Sequence, residues 1–548
     1  MTLKKQLIGL GLLALLLFAC KPTDEVKNVA VFDDYAFLEN NIKTLASDDF
    51  MGREPFTEGE ELTVDFLAKV YQEIGLKPVF GDSYFQEVPC VSVVYDTDDE
   101  INLETQGGTI ALKKDVDYIA QTPHLQEKVS LDDSELVFAG YGIVAPEYGW
   151  NDYEGLDVKG KTVLVLVNDP GFATGDEDLF RGKAMTYYGR WTYKYEEAAR
   201  QGAAGVMVIH NTDAAGYEFK VLTNTAGSNI YLEKDNKNKD LCTLTGWITE
   251  DATSRLFEAN GLDFNKFKND ALKSNFKPMN LATTISLDFE NDLTYQNTRN
   301  VVGMIEGSQR PEENIVYTAH WDHFGYGPVA DNDSIYNGAA DNATALAAML
   351  QTAKAFVGSE QPERSVVFAA VTAEESGLMG SAYYAQHNPF PTEKTVANLN
   401  FELLLPMGRM KDVMVTGFGM SELEKYVEEE AAKQDRYVVA EATPENGMYY
   451  RSDHFSFARV GIPSLFIKGW QDSREYGKEW AEEKVKEYWA TKYHKPADEY
   501  DPDTADLTGI MEDAQLFYQI GERLANENTF PKWYDGSEFK NIREESMN

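Results

Sequence analysis

Apolar positions along the chain recur in two rhythms. In "YAFLENNIKTLASDDFMGREP" (35–55) and "GEELTVDFLAKVYQEIGL" (59–76) they fall three and four residues apart, which predicts two amphipathic helices joined by a polar turn. From about residue 80 to 130 apolar and polar residues alternate, the pattern of half-buried strands. "SELVFAGYGIV", "KGKTVLVLVNDP" and "YKYEEAARQGAAGVMVIHN" then give strand–helix–strand alternation up to about residue 280. From about residue 297 the strands become continuous apolar runs: "TRNVVGMIEG", "NIVYTAHWD", "SVVFAAVTAEE", "VANLNFELL" and "IPSLFIKG". Such runs suit a sheet covered on both faces, and helical stretches such as "NATALAAMLQTAKAFVG" lie between them.

The pattern predicts an α/β protein with a mostly parallel, doubly wound sheet flanked by helices and a smaller α/β domain inserted in it. A chain of 548 residues exceeds one ordinary core. The expected divisions are a leader at 1–20, a helical and β segment of the main domain at 21–130, the insert at 131–280 and the main domain at 281–548.

The leader "MTLKKQLIGLGLLALLLFAC" has two lysines and then an apolar run too short to span a bilayer as a mature helix. Its end, "LFAC", resembles the lipobox of bacterial lipoproteins. This implies export, lipidation of Cys20 and anchoring to the cell envelope, with no other membrane contact. An ordinary signal peptide carrying an incidental cysteine is the alternative. Cys90 and Cys242 remain, enough for one disulfide but not for a cysteine metal cluster. With 91 acidic and 50 basic residues the net charge is −41, which argues against nucleic acid and anionic lipid as partners.

Candidate chemistry gathers at strand ends. In "YTAHWDHFG" (317–325), His320 and Asp322 are two apart, so on a strand both side chains project to one face. Asp322 can then accept from one imidazole nitrogen and leave the other free as a base or ligand. "NGAADNATA" brings Asp341 to a helix start, "TAEESG" puts Glu374 and Glu375 at a strand end, and "NLNFELL" does the same for Glu402. "TKYHKPADEY" adds Tyr493 and His494. Each has an innocent alternative: a satisfied histidine at a strand end, or simple N-capping by Asp341 or Asn342, which local evidence alone favours. His210 stands isolated and reads as structural. Together, however, two imidazoles and several carboxylates without a thiolate suit catalytic zinc. Two divalent ions balance Asp341, Glu375, Glu402 and a bridging hydroxide. Ser452, Asp453 and His454 are contiguous and cannot converge as a triad, and no G-x-S-x-G elbow occurs; Asp453 and His454 would line a pocket wall or merely pack.

"HWDHFG", "NGAADNATA", "TAEESGLMGS", "NLNFELL", "YRSDHFSFARVGIPSLF" and "YHKPADEYD" resemble, in order, the signatures of the di-zinc aminopeptidase-like metallopeptidases, a family that includes secreted bacterial aminopeptidases, glutamate carboxypeptidase and glutaminyl cyclase. The middle region is similar to their inserted protease-associated domain, and residues 45–78 to their N-terminal segment. The resemblance implies that His320, Asp341 and Glu402 hold one zinc and that Asp341, Glu375 and His494 hold the other. It makes Glu374 the general acid/base, Asp322 the carboxylate that orients His320, and Tyr493 a donor to the oxyanion. It implies a zinc exopeptidase acting on peptides, foremost an aminopeptidase, with carboxypeptidase, dipeptidase or cyclase-like acyl transfer as alternatives and a non-catalytic binding protein as a distant one. Glu402 stands where the aminopeptidases usually carry aspartate, which puts amino-terminal specificity in doubt.

Overall fold

The computed structural model describes residues 32–548 apart from 225 and 331, so the expected leader and Cys20 lie outside the described residues. Helix α1 (Tyr35–Leu45) starts where the Asp34 carboxylate accepts the Phe37 N–H at 3.0 Å. Helix α2 (Glu58–Ile74) is capped by Thr57 and stopped by Gly75 at φ +99°. Both helices of the sequence reading are present, and Leu38, Ile42, Leu45, Val64 and Leu67 form their buried stripe.

Among the strands that precede the chain's longest element are β1 (Phe85–Thr97), β2 (Tyr118–Gln121), β3 (Lys128–Phe138), β4 (Thr162–Leu166), β5 (Gly205–His210), β6 (Ser228–Leu232) and β7 (Leu244–Thr249). Strand β8 runs unbroken over 27 residues, Met279–Ile305. Its first half pairs antiparallel with β3, its second half with β1. From β3 a small parallel sheet extends through β4, β5 and β7, with β2 antiparallel at its edge. The expected boundary near 130 therefore shifts. Strand β2 pairs with β7, and Ile101, Leu103, Leu112 and Tyr118 pack in one core with Leu136, Phe257 and Phe289. The alternating pattern of 80–130 identified strands but not which sheet they join. The boundary near 280 shifts as well, because β8 passes from one unit into the other without a break.

The larger sheet contains β9 (Arg310–His320), β10 (Arg364–Val371), β11 (Thr395–Asn400), β12 (Asp412–Val415), β13 (Tyr437–Ala440) and β14 (Ser464–Lys468). Strands β10, β9, β11 and β14 are parallel neighbours, while the end of β8 and strand β12 flank them antiparallel. Helices cover both faces, as the apolar runs predicted. Ile315, Tyr317 and Ala319 of β9 pack with α1, α2, α3 (Thr344–Val357) and α4 (Thr508–Asn526). Val316 faces the other way, with Tyr384, Phe457 and Ile462. Cys90 and Cys242 are both buried and free.

Gly521 of α4 lies directly against β9, where a Cβ would fall 1.7 Å from the Tyr317 hydroxyl. That hydroxyl donates to the Phe517 carbonyl at 2.8 Å. In an exposed helix Gly→Ala stabilises by roughly 1 kcal/mol. Here Gly521→Ala is expected to cost about 1–3 kcal/mol by overpacking, read from the midpoint of chemical denaturation; a gain in stability would contradict this packing.

Candidate metal centre

The carboxyl ends of β9, β10 and β11 lie side by side, and the residues just at or beyond them face one another. His320 closes β9, Glu374 and Glu375 follow β10, and Glu402 follows β11. Asp341 comes from the loop before α3, and His494 from the turn after the helix Lys478–Thr491. His320 Nε2 lies 3.2 Å from Asp341 Oδ1 and 3.4 Å from Glu402 Oε1. His494 Nε2 lies 3.4 Å from Asp341 Oδ2 and 3.2 Å from Glu375 Oε2. The five expected ligands thus converge, with the two Asp341 oxygens facing two separate imidazole–carboxylate groups. Glu374 and Tyr493 line the same cavity as Asp341 and His494. Ala373, Leu403 and His494 all have positive φ, a cost on the order of 1 kcal/mol each for L residues, concentrated where the site is built.

Two details depart from the sequence reading. Asp322 lies beyond the end of β9, so strand parity does not aim it. Its carboxylate is 3.8 Å from His320 Nδ1, whereas its own backbone carbonyl is 3.1 Å away and orients the ring. The carboxylate instead accepts the N–H groups of Glu374 (3.0 Å) and Glu375 (3.3 Å), fixing the start of that turn. The second departure is His323, to which the sequence reading gave no role. Its Nδ1 is 2.7 Å from Glu375 Oε1, and His323, Asp341 and Glu375 offer atoms close enough to share an ion. Its ring rests on Gly338, where a Cβ would fall 2.6 Å away. The signal was the second histidine of "HWDH", but the chain turns after His320 and the spacing could not show where it points.

His320, His323 and His494 each have an Nε2, and Asp341 an Oδ1, that is buried without a hydrogen-bond partner. Unused nitrogen and oxygen donors converging in this way fit divalent cations of the zinc type. Burial works upward on the Asp341 carboxyl, but the facing imidazoles of His320 and His494 outweigh it and hold it well below the usual range. Glu375 behaves similarly: burial and Asp341 push up, His494 and His323 pull it down to about 2. Burial, with Glu402 and Glu375 adding to it against His320, pushes Glu374 well above an ordinary carboxylate. Asp453 and His454 do not line the cavity. Asp453 is buried behind it, and burial takes His454 down to about 3, which leaves it a neutral packing residue. His210 is buried in the smaller unit and bonds the Tyr217 carbonyl at 3.0 Å.

Residues 300–518, which contain every residue of this cluster, match the profile of peptidase family M28. Over this stretch the chain is similar to an M28 peptidase domain. Over 102 residues the chain is 35% identical to a glutamate carboxypeptidase 2 homolog of Caenorhabditis elegans, covering 19% of this chain and 12% of that protein. Over 113 residues it is 29% identical to aminopeptidase YwaD of Bacillus subtilis, covering 20% and 23%. The matched segments thus span less than a quarter of these relatives. In three dimensions the chain is similar to the aminopeptidase from Aneurinibacillus sp. strain AM-1, with TM-score 0.48 and 18% identity over 92% of this chain and 97% of that one.

Around the M28 cluster a second layer of contacts fixes the loops. Asp498 accepts the N–H groups of Ala340 (3.1 Å) and Asp341 (3.0 Å). The Asn342 side chain ties this loop to the Glu402 segment, donating to the Phe401 carbonyl and accepting the Leu403 N–H, both at 3.1 Å. Asn400 donates to Ser452, and Ser452 to Glu402 Oε2, each at 2.6 Å. Arg53, buried beneath the site, donates to the carbonyls of Leu45, Trp321, Asn337 and Gly338 at 2.5–3.0 Å. One side chain from the N-terminal segment thereby ties the His320 turn to the loop before Asp341. Arg53→Met removes these donors and a cation close to Asp322 and Asp341. It is expected to lower stability by about 3 kcal/mol or more, measured by urea unfolding; a loss under about 1 kcal/mol would show that water replaces the guanidinium.

Proposed function

We propose that the M28 domain is a zinc exopeptidase hydrolysing peptide bonds, foremost an aminopeptidase. The observation that carries this reading is Asp341 set between two imidazole–carboxylate groups. His320, Asp341 and Glu402 would hold one ion, and Asp341, Glu375 and His494 the other, with His323 a further donor to the second. When bound, such a pair supplies an acidified water and a polarised carbonyl. Glu374 lies outside both ligand groups and in the same cavity. Its burial favours a carboxyl that exchanges protons readily, so it would take the proton of the attacking water and return it to the leaving amine. Tyr493 stacks on His494, ring centres 3.7 Å apart, and its hydroxyl would donate to the oxyanion.

The cavity holds about 550 Å³ and is lined by Trp191 and Tyr231 of the smaller unit as well as by the M28 residues. A space of this size, closed partly by a second unit, suits one end of a short peptide better than the middle of a folded chain. The smaller unit would serve as a protease-associated module that shapes this space. The leader is consistent with an exported lipoprotein held at the envelope through Cys20. Carboxypeptidase or dipeptidase action is the second reading, favoured by the cavity's arginines.

Glu374→Gln is expected to lower kcat by at least 10²- to 10⁴-fold while elemental analysis still finds two zinc ions per chain; substantial residual turnover would remove Glu374 from this role. A single bound zinc would favour the cyclase-like alternative. Asp498→Ala, which leaves the Ala340 and Asp341 N–H groups without their acceptor, is expected to weaken zinc binding roughly 10- to 100-fold, measured by competition with a chromogenic chelator; unchanged affinity would limit Asp498 to packing.

A further inference from the structure

The stretch "SNIYL" (228–232) carries no charge and no proline, and it forms strand β6. On one side β6 pairs antiparallel with β1, Asn229 opposite Val93 and Tyr231 opposite Val91. The Glu233 N–H donates to the Pro89 carbonyl at 2.9 Å, and the Gly227 carbonyl accepts the Tyr95 N–H at 3.0 Å. The odd-numbered residues therefore carry the ladder. Antiparallel pairing alternates, so the peptide groups of Ser228, Ile230 and Leu232 point away from β1. Among the described residues no strand pairs with β6 on that side. A free edge is normally blunted by lysine, proline or a bulge, because it invites another chain. Residues 228–232 show none of the three.

That strand borders the reaction cavity. Residues 229–232 line it, and so do Met379, Ala382 and Gln386 of the helix Met379–Gln386, which packs beside β6. These helix residues are three and four apart and share one face. The helix begins four residues after Glu375, and residues 376–378 of the intervening turn line the cavity as well. Its axis thus leads a slot away from the metal centre for about 12 Å, at roughly 1.5 Å per residue. An extended peptide of about four residues covers the same length. The slot is firm and polar. The Tyr231 and Tyr95 hydroxyls, 2.7 Å apart, tether β6 to β1. Asn238 is 2% exposed, and its Oδ1, like the Thr192 Oγ1, is buried without a hydrogen-bond partner while both residues line the cavity. Such atoms cost free energy until a polar partner reaches them. The outward Ile230 N–H is taken by Asn229 Oδ1 at 2.9 Å, so Leu232 is the residue that offers an N–H to the slot.

We propose that the substrate's main chain joins the free edge of β6 as an added strand, in the slot between β6 and the helix Met379–Gln386. The proposal rests on the hydrolytic reading above and adds the substrate class: unfolded peptides of about four residues or more, held by their backbone rather than by one preferred side chain. The occupant is the peptide under attack, because the edge strand and Glu374 belong to one cavity. Its reacting end lies at the metal centre and its remaining residues run along the slot. Alternate peptide groups then face β6, and those between them face the helix.

The test is binding to the zinc-loaded full chain carrying Glu374→Gln, by calorimetry. The probes are dialanine, penta-alanine, and penta-alanines in which one amide N–H at a time is replaced by an ester oxygen. Penta-alanine is expected to bind roughly 10-fold or more tightly than dialanine. Beyond the reacting bond the esters should weaken it by roughly 2- to 10-fold, at alternate positions only. Leu232→Pro deletes an outward N–H and leaves the ladder to β1 in place, so it should abolish most of the length preference. Leu232→Ala keeps that N–H and should retain the preference. Thermal midpoints and zinc content would identify a proline variant that has lost its fold, and the ester series then decides alone. Binding of dialanine and penta-alanine within about twofold, or esters tolerated alike at every position, overturns the proposal. Hydrolysis by the wild-type chain separates the two claims. Zinc-dependent cleavage of dialanine with the same kcat/KM as penta-alanine leaves the peptidase standing and sinks the slot, whereas no cleavage of either by the two-zinc chain sinks the peptidase.

Discussion

The centre of this protein is a concentration of negative charge that cannot stand alone. Asp341, Glu374 and Glu402 are buried together beyond the ends of adjacent strands with the half-buried Glu375 beside them, and Asp322, Asp453 and Asp498 are buried close by. Carboxylates gathered out of water repel and lose solvation, so positive charge must be supplied. The protein's own contribution is the imidazoles, the Arg53 guanidinium and the Lys468 ammonium, whose charge acts on Glu402 and Asp341. Most of the remaining architecture holds this unfavourable gathering in place. Backbone N–H groups are aimed at Asp322 and Asp498, Asn342 and Ser452 clamp the Glu402 segment, and the N-terminal helices deliver Arg53 from beneath.

That division between the charged centre and its supports also separates what could be read from the sequence. The apolar runs of β9, β10, β11 and β14 were legible because a doubly covered strand must be apolar throughout. Their endings in His320, Glu374–Glu375 and Glu402 stood out because ionisable groups there break the pattern. The supports left no such mark. Arg53 sits in a polar turn where an arginine is unremarkable, and its partners are backbone carbonyls at 321, 337 and 338, which no residue type announces. Asp498 stands two residues after Pro496 and reads as a turn residue. His323 was visible as a letter, but its direction depends on a turn that begins at the strand's last residue.

Sheet membership was illegible for a related reason. Alternation along residues 80–130 states that one face is buried, not against what. Strand β2 could have joined either sheet, and only its pairing with β7 decides. In the same way the smaller unit carried no ionisable constellation of its own in the sequence. Its contribution to the cavity is wall residues such as Trp191 and Tyr231, which meet the M28 residues only in three dimensions.

The 27-residue strand β8 makes the two units mechanically one. Fully extended it would reach roughly 90 Å, and its backbone is laddered to β3 at one end and to β10 at the other. Domain insertions commonly enter and leave through pliable linkers and can be cut out by rejoining the stubs. Here the returning stub is itself a rib of both sheets, so excision at any point within it would unpair a ladder on one side. The roof over the cavity is thus cantilevered from the floor rather than hinged to it, and any widening of the cleft would come from twisting of that rib or from its flanking loops.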